Sequence, residues 1–277
     1  MKKIAFQGEK GAYSDLACRS VYPEMETVPC VDFLAALQAV EKGRADLAMI
    51  PVDNSLAGRV AVIHQLLPQT KLNIVGEFFL PVHHCLLGVK GASIDDIKQV
   101  RSHTHALPQC HNIIKDLKLE QYVSADTATA AREVAEMQDK EKAAISSSLA
   151  AEIYDLDILK ENIEDAAHNT TRFLVFSPET FVPEVEEGKA ITTFIFRVRN
   201  IPAALYKVMG GFATNGVNIT KLESYMVDGH FEATQFYCDI EGHIDDVNVR
   251  QAFEELDFFA AEIRILGCYP AHAFRSA

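Results

Sequence analysis

Short apolar runs alternate with helical stripes through the first half of the chain. Ile4 to Phe6 predicts a strand, and Asp32 is placed as the N-cap of a helix that buries Phe33, Ala36, Leu37 and Val40 and stops at Gly43. Ala45 to Val52 predicts a buried strand. A second series opens near Phe78: a strand over Phe79 to Val89, a helix from Ala106 to Leu117, a strand at Tyr122 to Ser124, an alanine-rich helix capped by Asp126, and a strand over Ala143 to Ser147. Strands alternating with helices are the pattern of β-α-β units and mostly parallel sheets. Two such series imply two small α/β lobes with a cleft between them.

The pattern changes after residue 178. Pro178 to Lys189 holds two prolines and four glutamates against one lysine, the composition of a linker. Beyond it the expected order is strand Ile191 to Val198, helix Pro202 to Asn215, strands Val217 to Val227 and Phe231 to Ile240, helix Asp245 to Leu256, and strand Ala260 to Leu266. Leu205, Val208, Met209 and Phe212 form one helix face, and Val249, Ala252, Phe253 and Leu256 repeat the spacing. This β-α-β-β-α-β order is the ferredoxin-like sandwich. The expected domains are therefore 1–178, a linker 179–190, and 191–277.

Composition narrows the function classes. The 277 residues are 48% hydrophobic and 23% charged, with a formal net charge of -13 that opposes binding of nucleic acid. A small anionic ligand would have to meet local positive charge. The six cysteines form no Cys-x-x-Cys pair and sit among apolar residues, which fits a reducing cytoplasm. Neither a signal peptide nor an apolar stretch long enough to span a bilayer is visible.

Four loops at predicted strand ends are candidate ligand sites. Gln7 to Ser14 carries two glycines, with Tyr13 and Ser14 entering a helix; it reads as a tight turn or an anion loop. Pro51 to Gly58 ends a buried strand in Asp53, Asn54 and Ser55, more polar groups than capping requires. Ser102 to Cys110 places Ser102 as a helix cap with backbone donors free for an anion. His103 and His105 lie two apart, off a shared helix face, and no third ligand is spaced for zinc, so no metal and no cofactor is expected. Asn169 to Phe173 offers Arg172 either as a surface arginine or as a bidentate clamp on a carboxylate.

Taken together and in order, these segments resemble prephenate dehydratase. The resemblance rests on Gly8-x-x-Gly-x-Tyr-Ser14, Pro51-Val-Asp-Asn-Ser55 with Gly58, His84-Cys-Leu-Leu87, Ser102-His103 through Gln109-Cys110, Asp126-Thr-Ala128 with Ala130-Ala131, and Thr171-Arg-Phe173. The tail is similar to an ACT regulatory domain through Asn200 to Leu205, Asn218 to Ser224 and Leu266 to Pro270. Departures are Asp53 for the usual glutamate, Thr104-His105 for Pro-Gln, Arg59 for a small residue, Ala203-Ala204-Leu205 for Gly-Ala-Leu, and Tyr225-Met226 for Arg-Pro.

The resemblance implies a two-lobed, periplasmic-binding-protein-like α/β catalytic domain followed by a ferredoxin-like ACT domain. The implied enzyme is a monofunctional, cytoplasmic lyase of phenylalanine biosynthesis that needs no cofactor. Its substrate would be prephenate, which loses carbon dioxide and its C4 hydroxyl to give phenylpyruvate. Thr171, Arg172, Asn54 and Gln109 are then the catalytic candidates: Thr171 donating to the departing oxygen, Arg172 holding a carboxylate, and Asn54 and Gln109 orienting the substrate. Tyr13, Ser14, Ser55, Ser102 and Phe173 are substrate-binding candidates, and Asp53 is assigned to holding its loop. L-Phenylalanine would act as effector in a homodimer or homotetramer, at Asn200, Ala204, Leu205, Asn218, Ile219, Glu223 and Ser224. Arogenate dehydratase and a non-catalytic amino-acid-sensing or solute-binding protein are the alternatives.

Overall fold

In the computed structural model of the protein, which describes residues 1–184, 190–199, 201–226 and 233–276, the apolar runs of the first half become strands of two sheets. The elements in order are β1 (Lys3–Gln7), α1 (Tyr13–Val21), β2 (Glu26–Cys30), α2 (Phe33–Glu41), β3 (Leu47–Asn54), β4 (Gly58–Arg59), α3 (Ala61–Leu66) and β5 (Asn73–Pro81). There follow β6 (Cys85–Gly88), β7 (Gln99–Ser102), α4 (His111–Asp116), β8 (Glu120–Val123), α5 (Thr127–Met137), β9 (Lys142–Ser146), α6 (Ser148–Tyr154), β10 (Asp157–Lys160) and β11 (Thr170–Ser177). One sheet runs β2-β1-β3-β11-β5, with β4 paired to β3, and the other runs β10-β6-β9-β7-β8. β1 is parallel to β2 and β3, and β7 to β8 and β9.

The expected caps form for the expected reason. Asp32 Oδ1 accepts from the Ala35 N–H at 2.7 Å and Asp126 Oδ1 from that of Thr129 at 2.7 Å, each satisfying a helix donor that has no partner within its own helix. Two expected elements are broken. The strand placed over 79–89 stops at Pro81 and resumes at Cys85, because the Val82 N–H goes to the Asn169 carbonyl (2.8 Å) and the His84 N–H to Glu164 Oε2 (2.8 Å) instead of a ladder partner. The helix placed over 106–117 is a 3-10 turn, Leu107–Cys110, followed by α4. Pro108 has no N–H and fits only a first turn.

The remaining elements are β12 (Ala190–Val198), α7 (Ala204–Thr214), β13 (Ile219–Met226), β14 (Ala233–Glu241), α8 (Val247–Phe259) and β15 (Ala260–Pro270). They form an antiparallel sheet ordered β13-β14-β12-β15, the ferredoxin-like arrangement. Its core joins Phe194, Phe196, Phe236 and Cys238 of the strands to Val208, Phe212, Val249, Ala252 and Leu256 of the helices. Alternate strand residues face the helices, as a period of two requires.

By compactness the chain divides into residues 1–69 with 78–173, and residues 70–77 with 174–277. The second unit thus takes in a segment far upstream of the linker. Arg275 binds Glu77 through Nε (2.6 Å) and a terminal nitrogen (2.8 Å), Asn73 Nδ2 donates to the Pro178 carbonyl (3.3 Å), and Gly267 lies against the Ile74 backbone. Among the described residues no helix is long and apolar enough to cross a membrane.

Candidate active site

The polar residues that end β3 and open β11 meet across the first sheet. Asn54 Nδ2 donates to Asn169 Oδ1 at 2.8 Å and to Thr171 Oγ1 at 3.0 Å. From Asn169 the contacts continue. Its Nδ2 donates to Gln109 Oε1 at 2.9 Å, and His84 Nε2 reaches the same oxygen at 3.0 Å. His84 Nδ1 lies 2.7 Å from the Tyr13 hydroxyl, which is 3.0 Å from the His83 carbonyl. Six side chains from five separate segments thus form one hydrogen-bonded chain.

Its direction is fixed at one end by the backbone. Asn54 Oδ1 accepts from the N–H groups of Leu56 (3.0 Å) and Ala57 (2.8 Å), which can only donate, so Nδ2 faces Asn169 and Thr171. Asn169 therefore accepts through its oxygen and donates through its nitrogen, and Gln109 Oε1 accepts. His84 must then carry its proton on Nε2. Burial pushes its pKa below the usual histidine value, against the raising effect of the Gln109 hydrogen bond, which favours the neutral ring. Burial also drives the Tyr13 phenol well above its ordinary value, so it stays protonated, with Nδ1 and the His83 carbonyl both within reach of its one proton.

This polarity leaves two donors uncommitted. Thr171 Oγ1 accepts from Asn54, and its own proton has no acceptor among the described residues. Gln109 Nε2 likewise has none. Gln109 lines a cavity of about 330 Å³ shared with Leu56, Ala57, His105, Pro108 and Asp165.

Arg172 stands elsewhere. Successive strand residues point to opposite faces, so Thr171 with Asn54 and Arg172 with Asp53 occupy the two sides of the β3–β11 pair. Arg172 is 6% exposed, with a terminal nitrogen 3.8 Å from Asp53 Oδ2 and its guanidinium 6.0 Å from the Phe79 ring centroid; Asp53 in turn lies 4.0 Å from buried His64. In this structure Arg172 is thus paired with Asp53, on the strand face opposite Thr171 and Asn54. Arg172→Lys, which loses the planar fork and the ring contact, is expected to lower unfolding stability by about 1–3 kcal/mol in urea melts and to change KM less than threefold.

Two further expectations are corrected. Ser102 ends β7 and caps nothing, since the next helical turn starts at Leu107; its fully buried hydroxyl donates to the Ile145 carbonyl at 2.6 Å. Phe173, 1% exposed, is core. Ser55 donates to the His168 carbonyl (2.7 Å) and accepts from the Thr170 N–H (2.9 Å), stapling the turn before β11. Ser14 is buried at the start of α1, in a turn whose glycines carry positive φ: Gly8 at 115° and Gly11 at 89°.

Sequence reasoning missed Ser147, whose hydroxyl caps α6 and donates to the Gly11 carbonyl at 2.6 Å, and the Arg132–Glu9 pair at 2.9 Å that also ties that turn down. A run of three serines after a strand was the visible signal for the cap. Among the described residues no three His, Cys, Asp or Glu side chains group as metal ligands.

In the ferredoxin-like unit, Ala204 and Leu205 open α7 behind Ala203, which adopts a left-handed φ of 63°. Leu205 and Ile219 pack on the helix–sheet core. Asn218 donates to Glu241 (2.8 Å), Glu223 accepts from Lys221 (3.2 Å), and Ser224 is exposed on β13. Asn200 lies outside the described residues.

A profile of the prephenate dehydratase family matches residues 4–180. The chain belongs to the prephenate dehydratase family. A relative from Komagataeibacter europaeus, described as a bifunctional N-acyl-homoserine lactone acylase/prephenate dehydratase, is 51% identical over 275 residues, covering 98% of this chain and 97% of its own. Arogenate dehydratase/prephenate dehydratase 1 of Arabidopsis thaliana, a chloroplastic protein, is 41% identical over 287 residues, covering 99% and 73%. The crystal structure of prephenate dehydratase from Arthrobacter aurescens in complex with L-Phe superposes with a TM-score of 0.90 at 30% identity, covering 99% of this chain and 91% of that one. The hydrogen-bonded chain of side chains from Tyr13 to Thr171 lies inside the matched region.

Proposed function

We propose that the protein converts prephenate to phenylpyruvate, carbon dioxide and water. The substrate supplies the driving force, since its ring becomes aromatic when the ring carboxylate leaves as carbon dioxide and the C4 hydroxyl departs with a proton. One proton is consumed, and the protein's task is to donate to the departing oxygen and hold the ring in place. The observation that carries this reading is the uncommitted Thr171 proton: Asn54 donates into Oγ1, which leaves the hydroxyl's own hydrogen available to a ligand. Gln109, which lines the cavity, carries a second uncommitted donor in Nε2.

Phenylpyruvate release from prephenate by the purified protein, with chelator in excess, tests the reading; turnover is expected to persist. No product, or activity lost to chelator and restored by a divalent ion, would overturn it. A second reading, acyl-amide hydrolysis, is favoured by the 51% identical relative's description. Release of free homoserine lactone from an N-acyl-homoserine lactone distinguishes it.

We also propose that residues 191–277 form an ACT-type regulatory domain in a homodimer or homotetramer. The ferredoxin-like strand order and the L-Phe complex of the Arthrobacter aurescens relative support this. Phenylalanine is expected to release heat on binding and to inhibit at millimolar concentration. Absence of both signals would mean that Ala203, Tyr225 and Met226 have silenced the site.

A further inference from the structure

We propose that His84 and Tyr13 are positioning residues that hold the Gln109 amide with its N–H toward the cavity, so that the site favours a substrate oxygen over an ammonium at that place. The proposal rests on the dehydratase reading and adds to it the cause of a preference for the keto acid over its aminated analogue, arogenate.

A glutamine amide can be turned end for end at little cost when its surroundings accept either orientation. Here they do not. Gln109 Oε1 receives two donors, Asn169 Nδ2 at 2.9 Å and His84 Nε2 at 3.0 Å. Turning the amide would lose both hydrogen bonds as they stand and set its NH2 against the Asn169 NH2, while forcing the His84 proton from Nε2 to Nδ1, a penalty that falls on partly buried groups. Asn169 is fixed by Asn54, and Asn54 by backbone. His84 needs its own anchor, and Tyr13 provides it. The two rings meet edge to face, 5.4 Å between centroids and 83° apart, with the phenol oxygen 2.7 Å from Nδ1. The Tyr13 hydroxyl can donate to Nδ1, which matches the Nε2-protonated ring that Gln109 Oε1 requires. Glu164 completes the frame by accepting the His84 backbone N–H at 2.8 Å and His83 Nδ1 at 2.8 Å. His84 is 2% exposed, so it meets no substrate and acts through Gln109.

The presented N–H is a specificity element. Prephenate carries a keto oxygen where arogenate carries an ammonium, and an amide N–H attracts the first and repels the second.

His84→Leu removes one of the two donors to Oε1, and Tyr13→Phe removes only the hydroxyl that contacts Nδ1. His84→Gln, whose terminal NH2 reaches a similar position, restores the donor. The His84→Leu protein is expected to lose about tenfold in kcat/KM for prephenate, the scale of one hydrogen bond, while arogenate changes less, so the preference narrows. His84→Gln is expected to recover most of the loss. In nitrogen-resolved NMR spectra the wild-type His84 signal should show the Nε2-protonated ring, and the Gln109 side-chain NH2 signal should move in His84→Leu and Tyr13→Phe but return in His84→Gln. Unchanged kcat/KM and substrate preference in folded His84→Leu would overturn the proposal. Should that variant fail to fold, an unmoved Gln109 signal in Tyr13→Phe would do the same. If the wild type turns over neither substrate, the dehydratase reading falls, and the Gln109 signals still decide whether His84 sets the amide.

Discussion

Thr171→Val is expected to lower kcat for prephenate by about a hundred- to a thousandfold while leaving KM within a few-fold, the scale for removing one preorganised donor at developing charge. Valine matches threonine in shape and keeps the β-branched fit to β11, so packing is preserved. What disappears is the hydroxyl that accepts from Asn54 Nδ2 at 3.0 Å and directs its own proton outward. Asn54 keeps its Asn169 partner at 2.8 Å and its two backbone donors, so the loss of stability should stay near 1 kcal/mol. Thr171→Ser, which restores the oxygen, should recover most of the turnover. Single-turnover measurement of phenylpyruvate alongside a thermal melt separates the two effects. A Thr171→Val protein within fivefold of wild-type kcat would show that the departing oxygen takes its proton from elsewhere.

How far the sequence discloses this site depends on the range of the interaction. Caps are local, and Asp32 and Asp126 act as the pattern predicts. Asn54, Gln109 and Thr171 stand out by residue type at strand and turn ends, yet the partner that joins them, Asn169, is 115 residues from Asn54 and 60 from Gln109. Asn169 heads a loop that residue type singles out, but nothing local marks which side chains it joins. His84 is similarly a neighbour of Gln109 only because the chain leaves the ladder between Pro81 and Cys85, a break decided by Asn169 and Glu164. Arg172 is a different case. Thr171 and Arg172 are consecutive on a strand, so parity alone assigns them to opposite faces, and only one can line a shared site. That signal was present, and the chemistry of an arginine beside an anion overrode it.

Gly267→Ala is expected to destabilise the ferredoxin-like unit by about 3 kcal/mol or more, the upper end of overpacking costs, lowering its melting temperature by roughly 10 °C. A Cβ built on Gly267 would lie 2.0 Å from the Ile74 carbonyl oxygen, 2.8 Å from its carbon and 3.0 Å from its Cβ. No rotamer change relieves a contact with backbone, so β5 or β15 must shift. Gly267 pairs with Thr193 on β12 beside a register shift, and that same stretch of β12 bonds Asp239 and Tyr269 through the Thr193 hydroxyl, each at 2.7 Å. A displaced β15 would strain these buried hydrogen bonds as well. Gly210→Ala gives the opposite sign and serves as the internal control. Gly210 lies within α7, a Cβ there meets nothing within 4 Å, and replacing a helical glycine by alanine should raise stability by up to about 1 kcal/mol. Circular-dichroism melts of the two variants against wild type read both signs in one experiment. Equal melting temperatures for Gly267→Ala and wild type would mean that β15 and residue 74 are not held at the approach seen here.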